Sequence, residues 1–253
     1  MNADFTTSLA QGRMHVGLWV SLASNFAAEV VAPAGYDWVL LDMEHSPGDL
    51  GSILGQLQVF AATDTAVIVR PDWNDAVLVK KLLDLGAPGL LFPMIQTPEE
   101  ARAAVAATRY PPRGIRGVSG STRANQFGRN KDYYATADDK TAVLLQIESL
   151  TALVKAQEIA AVDGVNGIFF GPADIAADMG HIGAPMHPEV WAAIRPVARQ
   201  LMSIGMPCGT LVNDAAFAAE LLREGFSFVA CGADAGLLAK AADTLLADVK
   251  SAL

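Results

Sequence analysis

The stretch "FFGPADIAADMG", residues 169–180, changes character halfway. It starts as the end of an apolar, aromatic run and breaks at Gly171–Pro172. It then resumes with apolar residues at helical spacing, opening on Asp174. A short apolar run, a turn and a helical period together describe a strand feeding a helix. The same order recurs along the chain. Strand candidates are "HVGLWVSL" (15–22), "DWVLLDME" (37–44), "AVIVRP" (66–71), "GLLFPMI" (89–95), "AVLLQIE" (142–148), "GIFFG" (167–171), "PCGTLV" (207–212) and "SFVACGA" (227–233). Between them lie helical patterns such as "DAVLVKKLLDLGA" and "PEEARAAVAATRY". Helix starts are expected at Ser24, Thr97 and Asn213, and helix ends at Gly35, Gly86, Gly205 and Gly225.

Continuously apolar strands that alternate with helices read as parallel strands buried on both faces. Eight such units in 253 residues match the count and length of a (β/α)8 TIM barrel. A doubly wound open sheet is the alternative, but it usually needs fewer strands. No shift in composition or linker divides residues 1–253, so a single barrel domain is expected. One long irregular segment, 111–139, separates the fourth and fifth strands; its Gly and Arg content suits a lid or ligand-facing loop, and equally a mobile surface loop.

Bulk properties exclude several classes. A formal net charge of −9, with the basic residues scattered, opposes nucleic-acid binding, which needs a basic surface. No apolar run reaches the roughly 18 residues of a membrane span, and the N-terminus lacks a signal-peptide pattern. Cys208 and Cys231 have no metal-ligand spacing and read as small core residues. A cytoplasmic protein is expected.

The polar residues gather at one end of the strands. Asp42, Glu44 and His45 stand at the C-terminal end of the second strand, Arg70 ends the third, Gln146 and Glu148 end the fifth, and Asp174 follows the sixth. Gln146 and Glu148 face the same way, because side chains alternate along a strand. A barrel builds its active site at these C-terminal strand ends. Each residue also has a plainer reading: Asp174 could cap the next helix, Arg70 could pair with a neighbouring acid, and a lone His45 carries little. Two acids, a histidine and an arginine converging on one rim are costly without a ligand. Two carboxylates on adjacent strands suit a hard divalent cation and leave coordination positions open for water and substrate. Arg70 could hold an anionic oxygen, His45 could move a proton near neutral pH, and backbone N–H groups after Gly171–Pro172 could cradle a carboxylate. Together these suit chemistry on a 2-oxo acid, with a metal chelating it and stabilising an enolate.

The segments "LLDMEHSPGD", "VRP" (69–71), "LLFPMIQTPEEA", "PPRGIRG", "QIES" and "FFGPADIAADMG", in this order, resemble the HpcH/HpaI aldolase family of metal-dependent, class II pyruvate aldolases. The resemblance runs from about Gly17 to the C-terminal helix. It implies reversible cleavage of 4-hydroxy-2-oxo acids to pyruvate and an aldehyde, with Mg²⁺, Mn²⁺ or Co²⁺ as cofactor. It further implies Glu148 and Asp174 as metal ligands, Arg70 at the ketone or enolate oxygen, and His45 as acid/base near the aldehyde oxygen. Asp42 would orient His45. Gln146 would order waters or substrate beside the metal, and the amides of Ala173 and Asp174 would bind the pyruvate carboxylate. It also implies a barrel whose eighth helix is exchanged between the subunits of a homo-hexamer, with Asp84 reaching a neighbouring active site. Val212 is placed near the aldehyde. Two rival readings are an acyl-CoA lyase of the malyl- or citramalyl-CoA type and a non-catalytic metabolite-binding barrel. A Schiff-base route needs a lysine at a strand end, and none of the seven lysines is expected there.

Overall fold

Strand β2, Trp38–Asp42, has five consecutive buried residues because something packs on both its faces. The computed structural model describes residues 5–253, and in it eight parallel strands close into a barrel in sequence order. The others are β1 (His15–Val20), β3 (Ala66–Arg70), β4 (Gly89–Phe92), β5 (Ala142–Ile147), β6 (Gly167–Phe170), β7 (Cys208–Leu211) and β8 (Phe228–Ala233). All eight lie within the segments expected from sequence, the observed strands being shorter by zero to three residues at an end.

Alternation sorts each strand into two cores. Val39, Leu41, Val67, Val69, Val143, Leu145, Ile168 and Phe170 join the layer between strands and helices. Trp19, Trp38, Leu40, Ile68, Leu91, Leu144, Phe169 and Phe228 fill the barrel interior. Large rings fit inside only because small residues face them. A Cβ on Gly17 would lie 2.2 Å from the Trp38 ring, and one on Gly209 would lie 2.3 Å from the Phe228 ring. The short helix Phe5–Ala10 closes the floor with Phe5 and Leu9, and the Phe5 ring meets His15, Trp38 and Phe228.

The local signals behave as their chemistry dictates. Ser24 caps its helix by accepting from the Ala27 N–H, and Thr97 with Glu100 forms a capping box. The third expected cap is one residue out: Asp214, not Asn213, accepts the Phe217 N–H. Gly86 and Gly225 adopt φ of 91° and 109°, the left-handed region that ends a helix without a Cβ penalty.

Segment 111–139 is not a lid over this chain's own barrel mouth. It runs from the helix Pro98–Thr108 back to β5, which places it on the side where strands begin. It is built by internal bonds: the Asn125 side chain bridges the loop, Arg123 donates to the carbonyls of Leu85 and Leu57, and its last turns form the helix Tyr133–Lys140.

The last helix, Asp234–Ser251, breaks the pattern. Only its first residue is buried, and Leu237, Leu238, Leu245, Leu246 and Val249 are exposed. Asp234 anchors its start by accepting from Ser21 N at 2.8 Å, Ser21 Oγ at 3.0 Å and Leu22 N at 3.2 Å. Among the described residues, no helix is long and apolar enough to cross a membrane.

Candidate active site

On β2, β3 and β5 the inward-facing set turns polar at the C-terminal end. Asp42 continues Trp38 and Leu40, Arg70 continues Ala66 and Ile68, and Gln146 continues Ala142 and Leu144. Glu148 follows one residue past the end of β5. Strand register then sets the partners, since Asp42 lies directly across from Arg70 on β2 and β3.

That pair forms a two-pronged ion pair. Arg70 Nε donates to Asp42 Oδ1 at 2.9 Å, and Nη2 donates to Oδ2 at 2.7 Å. The third nitrogen, Nη1, lies 2.7 Å from Glu44 Oε2. The guanidinium carbon stands 5.0 Å from the centroid of the Trp19 ring, whose Nε1 donates to Asp42 at 3.2 Å. Burial alone would raise the Asp42 pKa, but the bonds from Arg70 and Trp19 outweigh it and hold the carboxyl below its usual range.

This geometry corrects one expectation. Asp42 does not orient His45, because both its oxygens are taken by Arg70, Trp19 and the Glu44 amide. The acid nearest His45 is Glu44, with Oε2 3.8 Å from Nε2. His45 itself is largely exposed, three residues beyond the strand.

Glu148 is 4% exposed, so its environment sets its charge. Oε2 accepts the Met94 N–H at 2.8 Å, and Oε1 accepts from Gln146 Nε2 at 2.6 Å. Burial pushes its pKa up to about 8; the Met94 amide opposes this, and the nearby Asp174 and Glu44 carboxylates add to it. A buried carboxylate crowded by two others is electrostatically incomplete. Gln146 Oε1, also buried, has no hydrogen-bond partner among the described residues. Gly171 makes room for Glu148, since a Cβ there would lie 2.8 Å from its Cγ and Oε1. Two carboxylates and a free amide oxygen form an oxygen donor set that fits a hard divalent cation.

Above these residues opens a cavity of about 410 Å³. Its lining brings together His45, Arg70, Gln146, Gly171, Pro172, Ala173, Asp174 and Val212 with Trp19 and Phe169. Asp174 stands in the first turn of the helix Pro172–Asp178, which has no side-chain cap, so the expected capping role for Asp174 is not taken up. Asp84 lies elsewhere. It ends the helix Ala76–Asp84, where Arg116 Nη2 donates to it at 3.1 Å, and it does not line this cavity. No lysine lines the cavity either.

Sequence reasoning gave no role to three residues of this centre. Glu44 carried the signal of a strand-end acid but no visible partner. Trp19 read as core. Met94 holds φ of 52°, rare for a non-glycine residue, and thereby turns its N–H onto Glu148; nothing in the sequence marks that.

Comparisons with known proteins place the chain in a family. Residues 15–241 match the family model described as HpcH/HpaI aldolase/citrate lyase. A pyruvate aldolase of Rhizobium etli is 50% identical over 96% of both chains. A 4-hydroxy-2-oxo-heptane-1,7-dioate aldolase of Klebsiella pneumoniae is 49% identical over 98% of this chain and 94% of the relative. A crystal structure of a family protein from Burkholderia cenocepacia superposes with a TM-score of 0.93 at 39% identity, covering 97% of this chain and 98% of the other.

Proposed function

The chain belongs to the HpcH/HpaI aldolase/citrate lyase family, and from that premise we propose that it is a metal-dependent aldolase that reversibly cleaves 4-hydroxy-2-oxo acids to pyruvate and an aldehyde. The observation that carries this reading is the buried Glu148 beside Asp174, with the free Gln146 oxygen and Arg70 opening on the same cavity. Glu148 and Asp174 would hold the cation, Mg²⁺, Mn²⁺ or Co²⁺, with Gln146 beside it. When bound, the cation supplies a Lewis acid that draws electron density from the 2-oxo group.

The chain's own residues do the rest. The amides of Ala173 and Asp174, at the start of an uncapped helix, receive the substrate carboxylate. Arg70, fixed on three sides by Asp42, Glu44 and Trp19, presents its charge where the enolate oxygen develops. His45, exposed at the rim, takes the proton from the C4 hydroxyl as the C3–C4 bond breaks. Val212, Pro185 and Met186 line the cavity and would shape the aldehyde pocket.

The last helix supports an assembly beyond one chain. Its exposed leucines need a surface that their own barrel does not offer. Exchange of this helix between subunits of a homo-hexamer would bury them. Asp84, remote from its own cavity, would enter an active site only from a neighbouring chain.

The test is pyruvate release from a panel of 4-hydroxy-2-oxo acids, with pyruvate from citramalyl-CoA and glyoxylate from malyl-CoA followed in parallel. Release from the free acids and none from the CoA esters is expected. Release of pyruvate or glyoxylate confined to CoA esters would move the chain to the acyl-CoA lyases, and neither product from any substrate would leave a binding barrel.

A further inference from the structure

The segment from Met179 to His187 leaves the helix Pro172–Asp178, turns through Gly180 and Gly183 at positive φ, and enters the long helix Pro188–Ser203. The chemistry above uses neither of its histidines. Their imidazoles are stacked, with centroids 3.7 Å apart and planes within 16°. His181 Nε2 lies 2.9 Å from Glu189 Oε2. His187 caps the long helix, its Nδ1 accepting the Glu189 N–H at 3.3 Å. One nitrogen from each ring and one Glu189 oxygen all fall within 4.8 Å of one another, the one such three-residue group among the described residues.

Three features of this cluster favour a cation over a simple ion pair. Each ring places a nitrogen within reach of the Glu189 carboxylate, and turning one ring out of the stack lets both in-plane lone pairs converge on one ion. Glu189 already turns a carboxylate oxygen to within 2.9 Å of His181 Nε2, close to the spacing that two ligand atoms take around one cation. The donors are also free to close in. In a tetrahedral zinc site with bonds of about 2.0–2.1 Å, ligand atoms stand about 3.3 Å apart. The Glu189 side chain is 68% exposed and that of His181 27%, so both can move that far. His187 would contribute Nδ1, exchanging a long cap bond for a metal bond.

We propose that His181, His187 and Glu189 form a second metal site, distinct from the carboxylate pair in the cavity and selective for a cation of the Zn²⁺ class. Two imidazoles and one carboxylate are a nitrogen-rich set that favours Zn²⁺ over Mg²⁺, with a fourth position left to water. The consequence is positional. Pro185 and Met186, between the two histidines, line the active-site cavity. Zinc at this site ties the loop that carries them to the first turn of the helix Pro188–Ser203, fixing that wall of the pocket.

The test separates the two sites. Full-length protein carrying Glu148→Gln and Asp174→Asn is dialysed against Zn²⁺ and its metal content measured. One Zn²⁺ per chain is expected. Adding His181→Ala should weaken binding by more than the roughly 10–100-fold that losing an outer partner of a metal ligand costs. Wild-type protein saturated with Mg²⁺ provides a second measurement in an unaltered fold. It should take up one further Zn²⁺, lost on His181→Ala, and Co²⁺ at the same site should give tetrahedral visible absorption. Absence of this Zn²⁺ from Mg²⁺-saturated wild type, or binding unchanged by both His181→Ala and Glu189→Gln, would overturn the proposal. Because the cavity carboxylates are removed in one arm, failure here and failure of the aldolase reading are read separately.

Discussion

Arg70 and Asp42 differ from His45 in what their removal does. Both are buried, and breaking a buried ion pair by deleting one partner costs about 3–5 kcal/mol. Asp42→Ala should therefore destabilise the protein by about that much in chemical denaturation, as well as weakening substrate binding. His45→Ala, at an exposed position, should leave stability within about 0.5 kcal/mol while slowing aldol cleavage about 10²–10⁴-fold. Exchange of pyruvate methyl protons with solvent should suffer much less, since no C4 hydroxyl is involved. Equal losses in both reactions would place His45 at the enolisation step instead. Gly171→Ala tests the fit around Glu148. A Cβ 2.8 Å from that side chain displaces the carboxylate, so metal affinity should fall while the circular dichroism spectrum holds. At this scale, much of the site could be read from sequence, because polar residues that extend an inward-facing apolar set stand out against it. The pairings could not be read. Asp42 meets Arg70 through register between strands 28 residues apart in sequence, and no local signal distinguishes that partner from His45, three residues away.

The elements were legible for a single physical reason. Strands covered on both faces appear as largely apolar runs, and each of the eight observed strands lies within such a run. What covered them was less visible. The helix Phe5–Ala10 gave no sign that it plugs the barrel floor, where His15 Nε2 lies 3.0 Å from Ser8 Oγ and the ring packs on Phe5. Burial lowers the His15 pKa from its ordinary value, with Asp37 opposing and Arg13 adding to the shift. The unfolded chain then binds the proton more readily than the native one, so stability is complete above about pH 6.5 and falls as pH drops from there toward the folded pKa. Replacing His15 with Gln should remove that part of the acid sensitivity, read as a smaller loss of Tm between neutral and mildly acidic buffer. An unchanged difference would show that His15 does not titrate on folding. The segment 111–139 teaches the opposite lesson. Its composition suited a lid and a surface loop equally, but its position between a helix and the next strand already assigned it to the far end of its own barrel.

For the whole molecule, the exposed leucines of Asp234–Ser251 predict that the protein does not persist as a single chain. Light scattering should give six chain masses, and a chain ending at Ala233 should yield smaller species; a monomeric full-length protein would contradict the exchanged helix. The central claim is that Glu148 and Asp174 hold the cation on which pyruvate chemistry depends. It is tested most directly by following, by proton NMR in D₂O, the exchange of pyruvate methyl protons catalysed by the chelated enzyme before and after addition of Mg²⁺, Mn²⁺ or Co²⁺. The account predicts no exchange without metal, recovery on addition, and no recovery in Glu148→Gln. Exchange at full rate in the metal-free enzyme, accompanied by a borohydride-trapped pyruvyl adduct on a lysine, would contradict it.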